Sequence, residues 1–174
     1  MAEAAADRSA GMNKYLVVHF LDSLSEGERF ESSAWPLHLT LIPPFSTNAE
    51  RSDLEQFLRT VSQRRPIDLK VSGKSLFGVR QDIPVMEVVL LPELRDLHEA
   101  VVNALEEQDV RHGSPAHIRE GFRPHVTIQK SGTAEPGQTV RMDAITLVGY
   151  PTDRTREVLT HFPLGSGVVP SNDG

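Results

Sequence analysis

Two short segments of this chain are alike in a way that chemistry could use. Leu37-His38-Leu39-Thr40-Leu41 and Pro124-His125-Val126-Thr127-Ile128 each set a His and a Thr two positions apart, with apolar residues between and after them. Alternate side chains of a β-strand share a face. On strands, His38 and Thr40 point one way while Leu39 and Leu41 point to the core, and His125 and Thr127 repeat the arrangement. If the two strands are neighbours, one cleft holds two imidazoles and two hydroxyls. A neutral His can take a proton from an attacking water or hydroxyl, and a protonated His can give one to a leaving oxygen. Thr hydroxyls can donate to the non-bridging oxygens of a phosphate as its transition state forms. An unperturbed His titrates near pH ~6.5, so a pair can hold one of each form near neutrality. Ring opening of a cyclic phosphodiester suits this set, because it needs in-line attack and leaving-group protonation but no metal.

A lone His-x-Thr carries little weight, since roughly 0.4 copies arise by chance at this composition. Two copies, both in apolar strand-like surroundings, outweigh the plainer reading of two ordinary strands with half-buried His and Thr.

The elements that must position these residues follow from the hydrophobic pattern. Tyr15 to Asp22 is β-branched and aromatic enough for a buried strand. A strand over Leu37 to Ile42 is expected to stop at Pro43-Pro44. Leu54, Phe57, Leu58 and Val61 have helical spacing, placing a helix over Asn48 to Gln63, with Thr47 and Glu50 as a capping box. Ile67, Leu69 and Val71 alternate as a half-buried strand, and Pro84 to Leu91 is another. Pro92 opens a second helix carried by Leu94, Leu97, Val101, Ala104 and Leu105. A loop rich in Gly, Pro, His and Arg spans Val110 to Arg123, followed by strands at Pro124 to Lys130, Val140 to Tyr150 and Glu157 to Leu164. Two helices among about seven strands, in segregated order, imply an α+β fold with largely antiparallel sheet.

The 174-residue chain has length for one domain, and its 39% hydrophobic content is too high for a disordered protein. A single domain is expected over 13–165, with a disordered tail at 1–12 and a flexible one at 166–174. A net charge of -6 opposes binding to long duplex nucleic acid, though a small anion met by a few local basic residues remains compatible. The absence of Cys excludes disulfide scaffolds, thiol catalysis and cysteine-ligated zinc. No apolar run is long enough to span a bilayer, and Glu3 and Asp7 break any signal-peptide pattern, so a cytoplasmic location is expected.

The paired motifs, the chain length and the strand–helix order resemble the two-histidine (2H) phosphoesterase superfamily, within it the 2'-5' RNA ligase and RNA 2',3'-cyclic phosphodiesterase group. The resemblance runs from about Tyr15 to Leu164. It implies two pseudo-symmetric lobes of antiparallel sheet with outer helices, whose motifs face each other across a central cleft. It further implies His38 as general acid toward the leaving oxygen, His125 as base on water, and Thr40 and Thr127 as phosphate holders. No metal or other cofactor is implied. The partner would be a small nucleotide or an RNA terminus with a cyclic phosphate, and the default state is a monomer. Two departures bear on substrate choice. Lys130 stands where many bacterial members have Arg, and it cannot form a bidentate fork with phosphate. Ile42-Pro43-Pro44-Phe45 replaces a Phe-Leu-Gly type continuation, reshaping the rim.

Arg119, Arg123 and Lys130 cluster about the second motif as a candidate anion-attracting rim, against the alternative of a solvated face. Trp35, Phe45 and Tyr150 could stack a base at the cleft mouth, Tyr150 being the best placed. Gly73-Lys74-Ser75 resembles the end of a P-loop, but Asp68 occupies the position of its first Gly. His98-Glu99 begins like a zinc-protease motif, but Val102 occupies the second ligand position, leaving His98 as a partly exposed helix residue. His112 and His117 have no matching carboxylate pattern for a metal. Two rival functions remain: a module that clasps nucleotides without turnover, and a phosphodiesterase of a small non-RNA metabolite.

Overall fold

The computed structural model describes residues 12–130 and 132–165, so the expected tails, Met12 apart, lie outside the described residues. The strands are β1 (Asn13–Phe20), β2 (Arg29–Glu31), β3 (His38–Thr47), β4 (Ile67–Phe77), β5 (Ile83–Val88), β6 (Val110–His112), β7 (His125–Thr127), β8 (Thr139–Met142), β9 (Ala144–Thr152) and β10 (Thr155–Pro163). The helices are α1 (Arg51–Val61) and α2 (Pro92–Glu106).

The strands join in the order β2-β10-β9-β1-β3-β7-β5-β4-β8, with β6 on the far end of β3. The strand pairings are antiparallel, and the architecture is the expected α+β. The β3–β7 pair is the seam between two wings. One wing is β2, β10, β9, β1 and β3; the other is β7, β5, β4 and β8.

One face of the sheet is covered by both helices. Leu54 and Leu58 of α1, with Leu94, Leu97, Val101, Val102 and Leu105 of α2, share a core with Leu39, Leu41, Val126, Leu69, Leu147 and Phe162 from both wings. Fully burying one such side chain is worth about 1.5–3 kcal/mol, so this core carries much of the stability of the seam. The opposite face carries a smaller cluster in the first wing: Leu16, Val18, Phe20, Val148 and Val158, overlaid by Leu24, Phe30, Trp35 and Tyr150.

Pro43-Pro44 does not end β3. Tyr15 pairs with Phe45 and Val17 with Ile42, so the two prolines stand opposite the single residue Leu16 in a bulge. A bulge leaves residues without ladder partners, which is where a missing N–H costs least. On the other side, the Pro44 carbonyl accepts the Gly113 N–H at 2.8 Å, and a Cβ at Gly113 would lie 3.0 Å from that oxygen. The expected Thr47–Glu50 capping box does not form. Glu50 is the N-cap without a side-chain bond, and Thr47 Oγ1 accepts the Ala49 N–H at 3.0 Å instead. The second helix starts at Pro92 as expected. The expected strand at Val140 to Tyr150 is two strands broken at Asp143, one in each wing, and β2 and β6 lie where loops were expected. Among the described residues no helix is long and apolar enough to cross a membrane.

Candidate active site at the seam of two strands

β3 and β7 are hydrogen-bonded neighbours with Leu39 opposite Val126. One residue to either side, the antiparallel register sets His38 across from Thr127 and Thr40 across from His125. All four are half-buried and turn away from the helix-packed core that takes Leu39 and Val126. Residues directly across an antiparallel pair have Cβ atoms roughly 5 Å apart, and diagonal ones sit roughly 7–8 Å apart. The two histidines occupy one diagonal of this square and the two threonines the other. His125 is close enough to oppose charging of His38.

Each imidazole is held in the same way. His38 Nδ1–H donates to the Pro36 carbonyl at 2.8 Å, and His125 Nδ1–H donates to the Arg123 carbonyl at 2.8 Å. In both cases the acceptor lies two residues before the His. A carbonyl can only accept, so each ring carries its proton on Nδ1 and leaves Nε2 for proton transfer. Each ring also packs on an aromatic: Trp35 lies 4.2 Å from His38, centroid to centroid, and Phe77 lies 4.6 Å from His125.

Burial has an electrostatic consequence that the sequence does not disclose. Desolvation pushes His38 down to about 4, with the Pro36 carbonyl opposing the shift and His125 reinforcing it. Desolvation also lowers His125, against the Arg123 carbonyl, with Arg123 and His117 adding repulsion and Glu87 attraction. On the protein's own groups, both histidines are therefore neutral at pH 7, rather than one of each form. A phosphodiester anion against the rings reverses part of this, because an opposite charge favours the protonated form.

Thr40 and His125 form part of the wall of a cleft of about 610 Å³, together with Arg123, His117 and Gln81. Apolar side chains complete it, among them Pro43, Pro44, Phe77, Val79 and Phe122. The basic rim expected about the second motif is not free. Arg123 pairs with Glu87 at 3.0 Å and lies over the Phe77 ring at 4.3 Å. Arg119 is bound to Glu99 and Glu106, each at 2.6 Å. Lys130 is exposed in the turn after β7, outside the cleft wall.

One expected base-stacking residue is overturned by its burial. Phe45 is 1% exposed in the helix-side core, 5.9 Å from the Tyr15 ring, because the proline bulge shifts its register. Tyr150 lies in the first wing with Arg156 over its ring at 3.8 Å and Lys14 at 4.7 Å, and it is not part of the cleft wall. Trp35 packs on His38 itself. Phe77, which no sequence signal singled out, is the aromatic partner of His125.

His98 is also corrected: it is fully buried, not partly exposed. Its Nδ1–H donates to the Leu41 carbonyl at 2.9 Å, and its Nε2 accepts the Arg119 N–H at 2.8 Å. Phe122 stacks on the ring at 4.0 Å with planes 3° apart. The buried stripe of α2 runs Leu94, Leu97, His98, Val101, Val102 and Leu105. That helical periodicity was the available signal for its burial. Among the described residues no group of three or more His, Asp or Glu is arranged to hold a metal.

Residues 18–154 match the family model of the 2'-5' RNA ligase superfamily. No curated protein matches the chain. Among solved structures, E. coli LigT complexed with 3'-AMP superposes with a TM-score of 0.55 at 15% identity, covering 88% of this chain and 98% of that one. TT0787 of Thermus thermophilus does so with a TM-score of 0.53 at 16% identity, covering 87% and 98%. Both have the same fold as the described residues, an antiparallel sheet with two helices. The family match spans both His-x-Thr segments and the seam that pairs them, and the chain belongs to the 2'-5' RNA ligase superfamily of two-histidine phosphoesterases.

Proposed function

We propose that this protein hydrolyses a 2',3'-cyclic phosphodiester, on a nucleotide or an RNA end, by acid–base catalysis between His38 and His125 without a metal. The observation that carries the reading is the pairing of the two motifs on adjacent strands, with both Nδ1 protons tied to carbonyls. The E. coli LigT structures with 3'-AMP and with ATP support a nucleotide ligand.

The water oxygen attacks phosphorus while one imidazole Nε2 takes its proton. The P–O bond to the ribose 2' or 3' oxygen breaks, and the other imidazole donates its Nε2–H to that oxygen. The product is a phosphomonoester and a free hydroxyl. Thr40 and Thr127 donate to the non-bridging oxygens, where negative charge builds in the transition state. With a 5'-hydroxyl in place of water, the same groups join two RNA ends without ATP. In water the equilibrium favours hydrolysis.

The order of roles has two readings. The resemblance assigns His38 as acid and His125 as base. The burial order favours the reverse, because His38 is the harder of the two to protonate.

Phosphorus NMR of 2',3'-cyclic nucleotides and a cyclic-phosphate-ended oligonucleotide, with EDTA present, tests the function. Turnover by the wild type that is lost in His38→Ala and His125→Ala is the expected result. Binding without turnover would favour a nucleotide-clasping module, and loss of turnover in EDTA would point to a metal.

A further inference from the structure

The cleft of about 610 Å³ does not end at His125. It continues from Thr40 and His125 into a chamber walled by the Pro43-Pro44 bulge, Phe122 and the β4–β5 hairpin. Of the four large apolar side chains that are exposed among the described residues, Leu76, Val79 and Ile83 belong to this hairpin, and all three line the chamber. Val79 is fully exposed. Soluble surfaces rarely gather apolar groups this way unless a ligand or partner covers them.

The hairpin holds these groups in a set geometry. Gln81 N–H donates to the Gly78 carbonyl at 3.0 Å, and Gly78 has φ +95, which favours glycine. A Cβ at Gly78 would stand 3.0 Å from Ile83 Cδ1, so the turn closes against that side chain.

The chamber's charge points the same way. Its wall holds a single Arg, and Arg123 is already neutralised by Glu87 and laid on Phe77. Binding a second phosphate calls for unpaired cations, preferably an open guanidinium fork. Gln81 and His117 offer hydrogen bonds but no fork.

We propose that this chamber is a subsite for one uncharged, flat organic group of nucleoside size attached to the reacting phosphate, and not for a continuing phosphodiester chain. The cleft as a whole, at about 610 Å³, falls in the range of small-molecule sites. The inference rests on the phosphodiesterase reading and narrows it to mononucleotide-like substrates. Among the residues that line this wall, the one Arg or Lys an extended RNA strand would meet is Arg123, already paired with Glu87.

The test compares 2',3'-cyclic AMP with glycerol 1,2-cyclic phosphate, which has the same ring and charge but no base. In the wild type the nucleotide should have a KM at least tenfold lower, with kcat values within a few-fold. In Val79→Asp and Ile83→Asp, whose altered side chains are exposed, that advantage should shrink to about twofold or less. Val89→Asp, exposed but outside the chamber, should keep it. A cyclic-phosphate-ended oligonucleotide should show no lower KM than the mononucleotide. Equal KM values for the two ring phosphates in the wild type, or a lower oligonucleotide KM that rises with salt, would overturn the subsite. If the wild type turns over nothing, the phosphodiesterase reading fails by itself. Calorimetry of 3'-AMP against glycerol 2-phosphate then decides the subsite: a tenfold preference lost in Val79→Asp supports it, and equal affinities overturn it.

Discussion

The imidazole of His98 donates to the backbone carbonyl of Leu41, one residue beyond Thr40. Its other nitrogen accepts from the Arg119 amide in the segment that leads into His125. One buried side chain on α2 thus ties the first His-x-Thr strand to the approach of the second, and it does so only as a neutral ring.

His98→Leu leaves that carbonyl and that amide without partners, at about 1–3 kcal/mol for each group left bare. Chemical denaturation should show the loss, and kcat/KM should fall with it. Gln carries both a donor and an acceptor, so His98→Gln should recover part of both. Equal activity and stability in all three proteins would mean that the bonds contribute nothing.

His38→Ala and His125→Ala should each lower kcat by about 10²–10⁴, the usual range for a positioned acid or base. The double variant should be little worse than either single one, because the two groups act as a unit. Steady-state kinetics on one cyclic nucleotide checks this, and additive losses would contradict a coupled pair.

Thr40→Val and Thr127→Val keep the β-branched shape but remove the hydroxyl. Each should cost about 10² in kcat with a smaller change in KM, the signature of a donor used mainly in the transition state. A rise in KM alone would make these residues ground-state binders.

His38 is held at about 4, and His125 lies below the ordinary value by a lesser shift. Proton NMR of the free protein should therefore show His125 taking its proton at higher pH than His38. Because the acid must be protonated, the alkaline limb of kcat/KM should begin below the pH ~6.5 of a free imidazole. A nucleoside monophosphate should raise both values. An alkaline limb above pH ~7.5 in kcat/KM would contradict the burial argument.

The same shifts set a stability slope. His19, His38, His98, His112 and His125 are all lowered by desolvation. The unfolded chain then binds more protons than the folded one as pH falls below ~6.5, so stability drops through that window toward pH ~4. His38→Ala should flatten part of the drop. Urea midpoints at several pH values would show it, and parallel curves for the two proteins would refute it.

What could be read in the sequence was what depends on neighbours along the chain. The alternation in Leu37–Leu41 and Pro124–Ile128 disclosed which side chains share a face, and the spacing of Leu94, Leu97, Val101 and Leu105 behind Pro92 disclosed α2. What escaped depends on partners distant in sequence. Pro43-Pro44 has the local form of a strand end, and only the β1 register turns it into a bulge that buries Phe45. A lone Asp143 inside a strand-like run is only a weak turn signal. It divides two strands because Met142 pairs with Ile67 while Ala144 pairs with Pro163. The depressed histidines are likewise a property of burial, for which His-x-Thr has no letter.

The interleaving of the sheet reaches into the way the chain folds. β1 is the first of the described strands, yet one of its two partners is β9, residues Ala144–Thr152. During synthesis β1 and β3 can pair early, but one edge of β1 stays open until nearly all of the described chain has emerged. Pairings this far apart in sequence slow folding, and an open strand edge invites association with other chains. The β3–β7 pairing that brings the two histidines together likewise joins strands far apart in sequence. A chain that stops before β9 keeps both His-x-Thr segments but leaves a central strand of the first wing without its neighbour.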